Sequence, residues 1–298
     1  MLCILISSCD KYRPLADLTR ERLGRLWRNH PPVFFAGLEG LTPDYLGFEG
    51  DPRDWMSVNL QAMQRLRQMG YRQVYLILDD HPPLGRCHEK FLNELLPTKA
   101  NELKAAYVGL LGHGQHRGFE GKLLTGAGLG LEHTAESYRW KFSLHPGLWS
   151  VDALIDLLEL RMAQYQGRDR SPWNFERHRD VPGTLPPSLL GASYRVDGHA
   201  WDAESGKFWK APLHQLVQFG FDLALFAVRL TCGGEKREAM SARWLAPYSY
   251  YRGPYPLFWS GIMRQGTWNP DLGAYLRWSG AEGLRDELTA VRQHMKSS

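Results

Sequence analysis

An uninterrupted apolar run, Val74 to Leu78, ends in two adjacent carboxylates, Asp79 and Asp80, and is followed at once by the helix-hostile His-Pro-Pro. A strand without polar alternation needs cover on both faces, the situation of an inner strand in a sheet with helices on either side. In such sheets ligands bind beyond the carboxyl ends of the strands, where this strand sets two negative charges. Adjacent carboxylates repel. Their position is explained by a bound cation or by donors that offset the charge; the plain alternative is a solvated Asp-His-Pro turn.

The surrounding chain alternates strand and helix signals. CILIS reads as the first strand, and Leu15, Leu18, Leu23, Leu26 and Trp27 then recur at helical spacing between arginines. PVFFAG follows as a second strand. Met56, Leu60, Met63, Leu66 and Met69 mark another helix, started by Asp54 or Ser57 as cap and closed by Gly70. After VYLIL, a helix around His88 to Leu96 leads to the strand KAAYVGLL. Strand, helix, strand, helix, strand with short joins predicts a parallel sheet with crossover helices.

Later segments are less regular. Residues 112–130 hold seven glycines and few large side chains, the pattern of a long loop able to close over a substrate or simply to lie on the surface. Ser150 can cap a helix whose apolar face is Val151, Leu154, Ile155, Leu158 and Met162. Beyond it come SPWNFE, a proline- and glycine-rich link, the strand-like SYRVDGHAW, an apolar segment from Leu216 to Leu230 and an aromatic tail from Trp244 to Trp278.

Composition narrows the function classes. The 298 residues carry a net charge of only +4, and the arginines are dispersed, so no nucleic-acid arm is expected. Cys3, Cys9, Cys87 and Cys232 form no CxxC pair and read as reduced thiols of a cytoplasmic protein. The amino terminus is apolar for about six residues without a basic flank, so it reads as a strand and not as a signal peptide. Leu216 to Leu230 is too short to span a bilayer and contains Asp222, so it reads as a buried helix; a face resting on the inner side of a membrane is the sharper alternative. His113, His116 and His133 lack the HExxH spacing of a zinc site.

Two further segments bear on ligands. Ser7 to Lys11, SSCDK, follows the first strand and precedes a helix, the turn that meets the nucleotide in doubly wound sheets. It contains neither GxGxxG nor a Walker sequence, which argues against a dinucleotide oxidoreductase and a P-loop ATPase. In GDPRDWMSVNL, Trp55 can stack on a base or sugar or sit in the core.

The order SSCDKY, DPRDWMSVNL, LILDD, YRWKFSLHPGLW, PWNFE and the late Trp259 to Trp268 resembles bacterial glycosyltransferases of the GT-A type, over residues 1 to 178 and again near the end. The resemblance implies an α/β fold with a GT-A-like, Rossmann-type nucleotide-binding sheet and a helical, aromatic-rich carboxy-terminal extension. It divides the single domain 1–298 into a nucleotide-sugar half (1–111), an acceptor-side half (112–180) and the extension (181–298). It implies transfer of a sugar from a nucleoside-diphosphate sugar to a glycan or lipid-linked acceptor, in the synthesis of a cell-surface polysaccharide. Ser7, Ser8, Asp10, Asp54, Trp55 and Asp79 would contact the donor, Asp80 with Asp79 would hold Mn²⁺ or Mg²⁺, His145 and Trp149 would face the acceptor, and Glu176 would be the catalytic base, with Asp180 as its fallback. The adjacent Asp-Asp departs from the usual DxD, which leaves the division of labour between the two open. The rival readings are a nucleotidyltransferase or phosphosugar enzyme, and a catalytically silent binding protein on the same fold.

Overall fold

The computed structural model describes residues 1–110, 124–125, 131–134, 141–177, 185–190, 192–196, 227, 250–251, 254–258, 261–264, 267–269 and 282–297. Three parallel strands form the half of the sheet that carries the carboxylates. β1 (Leu2–Ser7) lies between β2 (Val33–Ala36) and β3 (Gln73–Leu78), parallel to both. Cys3 to Ser7 and Gln73 to Ile77 are buried without a break, as two-sided cover requires.

Because successive side chains point to opposite faces, the two strands feed two cores. Cys3, Leu5, Val74 and Leu76 pack with α2 (Trp55–Gln68) and α4 (Val151–Gln164) on one face. Ile4, Ile6, Tyr75 and Ile77 pack on the other with Ala16 and Leu23 of α1 (Arg13–Leu26) and with Trp27, Phe91 and Leu96. The protein is therefore an α/β fold with helices on both faces of a mixed sheet.

The local signals act as the residues dictate. Asp54 is the cap of α2, its side chain accepting from Ser57 N–H at 3.0 Å, and Gly70 follows the helix end at φ +88°, where a side chain would be strained. Ser150 caps α4 by accepting from Ala153 N–H. The helix expected around His88 to Leu96 is present from Glu89, with Leu92 N–H donating to His88 O at 3.0 Å; Phe91–Leu95 is a wide π turn in which Leu96 N–H reaches back to Phe91 O, and α3 continues as Leu96–Glu102. Pro97 supplies no N–H to an ordinary ladder, which gives the reason for the widened turn before it.

The second half of the sheet departs from a simple parallel array. β7 (Gly147–Ser150) runs antiparallel between β3 and β4 (Tyr107–Gly109), β8 (Ser193–Val196) is parallel to β4, and the hairpin of β5 (Leu124–Thr125) and β6 (Leu131–His133) closes the edge. The order is β2-β1-β3-β7-β4-β8-β6-β5. The reversal of β7 matters for function. Gly147 pairs with Leu76 and Ser150 with Gln73, so the residues just before β7 emerge at the carboxyl end of β3, beside Asp79 and Asp80.

Described parts of the carboxy-terminal third wrap the same end. Two short hairpins, β9–β10 (Tyr250–Tyr251, Leu257–Phe258) and β11–β12 (Met263–Arg264, Thr267–Trp268), precede α6 (Glu282–Ser297). Leu284, Leu288 and Val291 of α6 pack with Leu15, Leu18, Leu84 and Ile262, and Glu287 pairs with Arg22 and Arg25. Among the described residues no helix is long and apolar enough to cross a membrane. Residues 112–130 apart from β5, Leu216 to Leu230 apart from Ala227, Cys232 and most of Trp244 to Trp278 lie outside the described residues.

Candidate functional site

The carboxyl ends of β1 and β3 meet at one corner. Ser7 pairs with Leu78, and the chain continues as Ser8 on one side and Asp79 on the other. Ser8 Oγ donates to Asp79 Oδ2 at 2.5 Å, Asp79 N–H donates to Ser7 O at 3.2 Å, and Thr19 Oγ1 of α1 donates to Asp79 O at 2.8 Å. Trp55 Nε1 donates to Ser7 Oγ at 2.9 Å. The corner thus gathers Ser7, Ser8, Trp55 and Asp79. Withdrawal from water, reinforced by the neighbouring Asp80, pushes the Asp79 carboxyl well up, against the smaller lowering effect of the Ser8 hydroxyl.

Asp10 and Asp54 each make contacts of their own. Asp10 is exposed and binds the Arg13 guanidinium and Glu39 N–H. Asp54 accepts from Ser57 N–H and pairs with Arg170 at 2.9 Å, fastening the start of α2 to the chain before α5 (Pro172–Arg177). Through these contacts both carboxylates hold loops in place.

Asp80 is enclosed by two features that the sequence pattern leaves unmarked. Its Oδ1 lies 2.8 Å from His81 Nδ1, off the axis of a good hydrogen bond, and among the described residues this buried oxygen has no aligned donor. Its Oδ2 faces the backbone of Gly261, where a Cβ would lie only 2.4 Å away. Ile262 N–H donates to Asp80 O at 2.9 Å, and Asn269 Nδ2 and N–H donate to Gly261 O and Ile262 O. Tyr255, fully buried, donates its hydroxyl to His81 O at 3.0 Å. The carboxy-terminal segment therefore forms a wall of the site, and its described aromatic at 255 is core.

Glu176 of α5 reaches the same region. Its Oε1 accepts from Ser143 Oγ at 2.7 Å and from Leu144 N–H at 3.1 Å. His145 Nδ1 stands 2.7 Å from Ser143 Oγ and 3.9 Å from Glu176 Oε1. The rings of His145 and His81 meet edge to face, with centroids 5.4 Å apart. A chain of neighbours thus runs from Asp80 to Glu176, by close approach to His81, ring contact of His81 with His145, and hydrogen-bonding distances from His145 through Ser143 to Glu176. His81, Ser143 and Gly261 are the residues that motif reading misses; the one signal in the sequence is that His81 directly follows the aspartate pair.

Trp149 corrects an expectation. It is 1% exposed, with Tyr107 at 4.4 Å and Phe142 and Phe175 around it, so no ring face is open to a sugar. Its place on β7, between α2, α4 and α5, makes it core. Asp180, the fallback base, lies outside the described residues.

Among the described residues no group of three histidine, cysteine or carboxylate side chains is arranged to hold a metal. A cation here would take one or two oxygens from the aspartates and the rest from a ligand and water, which is the habit of Mg²⁺ beside phosphates. Asp80 Oδ1, buried and without an aligned donor among the described residues, and the Asp79 carboxyl next to it fit that role. Comparison with protein-family models, with curated proteins and with solved structures returns no match.

Proposed function

We propose that this protein is a GT-A-like, metal-dependent glycosyltransferase that moves a sugar from a nucleoside-diphosphate donor to a glycan or lipid-linked acceptor. One observation carries the reading. A carboxylate pair at the end of a buried parallel strand and a tethered carboxylate from a distant helix are joined through His81, His145 and Ser143 at one edge of the sheet. Binding of phosphates at this edge suits an open α/β sheet.

In this reading Ser8 and Trp55 line the nucleotide side, with the buried Ser7 holding the Trp55 indole in place, and Asp80, with Asp79, would hold Mn²⁺ or Mg²⁺. The cation would offset negative charge gathering on the diphosphate as the anomeric C–O bond breaks. Every described contact of the Glu176 carboxylate falls on Oε1, which leaves Oε2 for the acceptor. Glu176 takes the acceptor hydroxyl proton while that oxygen attacks the anomeric carbon and the nucleoside diphosphate leaves. Ser143 and Leu144 N–H hold the base in place, so its orientation does not have to be found anew in each turnover. The resemblance of the motif order points to cell-surface polysaccharide synthesis at the cytoplasmic side of the membrane.

The test is a thermal-shift panel of nucleoside diphosphates with and without Mn²⁺, on wild type and Asp80→Ala. Stabilisation by one diphosphate that requires both Mn²⁺ and Asp80 is expected. A wild type that responds to no diphosphate in any condition refutes the reading.

A further inference from the structure

We infer that Trp173 is the stacking platform for an acceptor saccharide, a role that rests on the transferase reading of the neighbouring Glu176. Trp173 is 49% exposed on α5. Single exposed apolar residues are ordinary, and Met1, Leu41, Met69 and Leu190 are further examples here. Trp173 differs from these in what stands beside it. At 100° per residue, Glu176 lies about 60° from Trp173 around the helix, and residues three apart are neighbours on a helix surface.

The faces of α5 follow one another in order from core to solvent. Phe175 is 1% exposed and packs edge-on against Trp55, so it anchors the helix to the sheet side. Glu176 stands between that anchor and the exposed face, with its carboxylate fixed at Ser143 and Leu144. Trp173 occupies the next sector outward. A pyranose laid on the indole would bring a hydroxyl toward the carboxylate that deprotonates it. Its apolar C–H face would meet the ring and its hydroxyls would stay in water, the division for which tryptophan is suited.

The platform is also rigid. Asp169 binds Ser171 N–H at 3.1 Å, Ser171 Oγ at 2.8 Å and Asn174 Nδ2 at 3.1 Å, and Asn174 Nδ2 reaches Asp169 O at 2.7 Å. Arg170 is tied to Asp54 at the cap of α2. An exposed aromatic on a fixed support loses little freedom on binding, which favours weak, specific sugar contacts. The acceptor face expected at Trp149 is thereby moved from β7 to α5.

The experiment is saturation-transfer NMR of the full chain with methyl glucoside, galactoside, mannoside and N-acetylglucosaminide as probes. At least one probe is expected to show transfer concentrated on the C–H groups of a single ring face. Trp173→Ala should cut that signal about tenfold, and Trp173→Phe should keep most of it, with melting temperature as the check on folding. Absence of transfer in wild type, or equal transfer in Trp173→Ala, overturns the proposal. The two readings fail separately. Loss of the Asp80-dependent diphosphate response sinks the transferase, whereas loss of saccharide contact sinks only the platform.

Discussion

Gly261→Ala is the most demanding perturbation of the Asp80 corner. Gly261 has φ +72°, and an added Cβ would lie 2.4 Å from Asp80 Oδ2, 3.1 Å from its Cγ and 3.3 Å from Met263 O. The carboxylate has to retreat by about 1 Å to reach ordinary contact. The wall cannot yield instead, because Ile262 N–H is bonded to Asp80 O and Asn269 holds Gly261 O. Alanine in the left-handed region costs a further ~1–2 kcal/mol of stability. A displacement of that size at a reacting site lowers turnover by about 100-fold, and the Mn²⁺-dependent diphosphate affinity should fall with it. Calorimetric titration of Mn²⁺ with the preferred diphosphate measures the effect directly. Gly261→Asn separates the causes, since asparagine tolerates positive φ but still carries a Cβ. Both variants should lose the response. A folded Gly261→Ala protein that binds metal and diphosphate like wild type would refute the view that the carboxy-terminal wall positions Asp80.

Three other outcomes follow from the same contacts. Ser143→Ala removes the hydroxyl that donates to Glu176 Oε1; turnover should drop about tenfold or more with diphosphate binding intact, and unchanged turnover would show that the tether is idle. Trp149→Ala should cost about 3–5 kcal/mol in urea unfolding, as a buried aromatic does, and a variant of wild-type stability would contradict its place in the core. Asp79 has a folded-state carboxyl raised above its unfolded value, so its stabilising effect is full below about pH 4 and is lost as pH rises through about 8. Urea midpoints without divalent metal should therefore show Asp79→Asn gaining on wild type between pH 5 and pH 8, and a pH-independent difference would rule out the raised carboxyl.

The amino-terminal half was legible because its signals are local. Continuous apolar runs gave β1, β2 and β3, and Asp54, Gly70 and Ser150 announced helix ends by their chemistry. β7 was hidden because its four residues carry Gly147, and its antiparallel insertion depends on partners 70 or so positions away. That insertion is what delivers Ser143 and His145 to Asp80, so the join between the two halves of the site could not be read from spacing. Trp149 illustrates the same limit: a tryptophan ahead of a helix is compatible with core or platform, and only the neighbours Tyr107 and Phe175 decide. Gly261 carries no side-chain signal at all. The helix α6 does have one, in the spacing of Leu284, Leu288, Val291 and Met295, yet its docking on α1 is a tertiary fact.

The central claim is that Asp80 holds a divalent cation against a nucleoside diphosphate at the carboxyl edge of β1 and β3. Anomalous diffraction from a crystal grown with Mn²⁺ and the diphosphate that most raises the melting temperature tests it most directly. The account predicts one manganese peak within bonding distance of an Asp80 oxygen and of the diphosphate, with the nucleoside against Ser8 and Trp55. A diphosphate bound elsewhere, or manganese bound without Asp80, would contradict it.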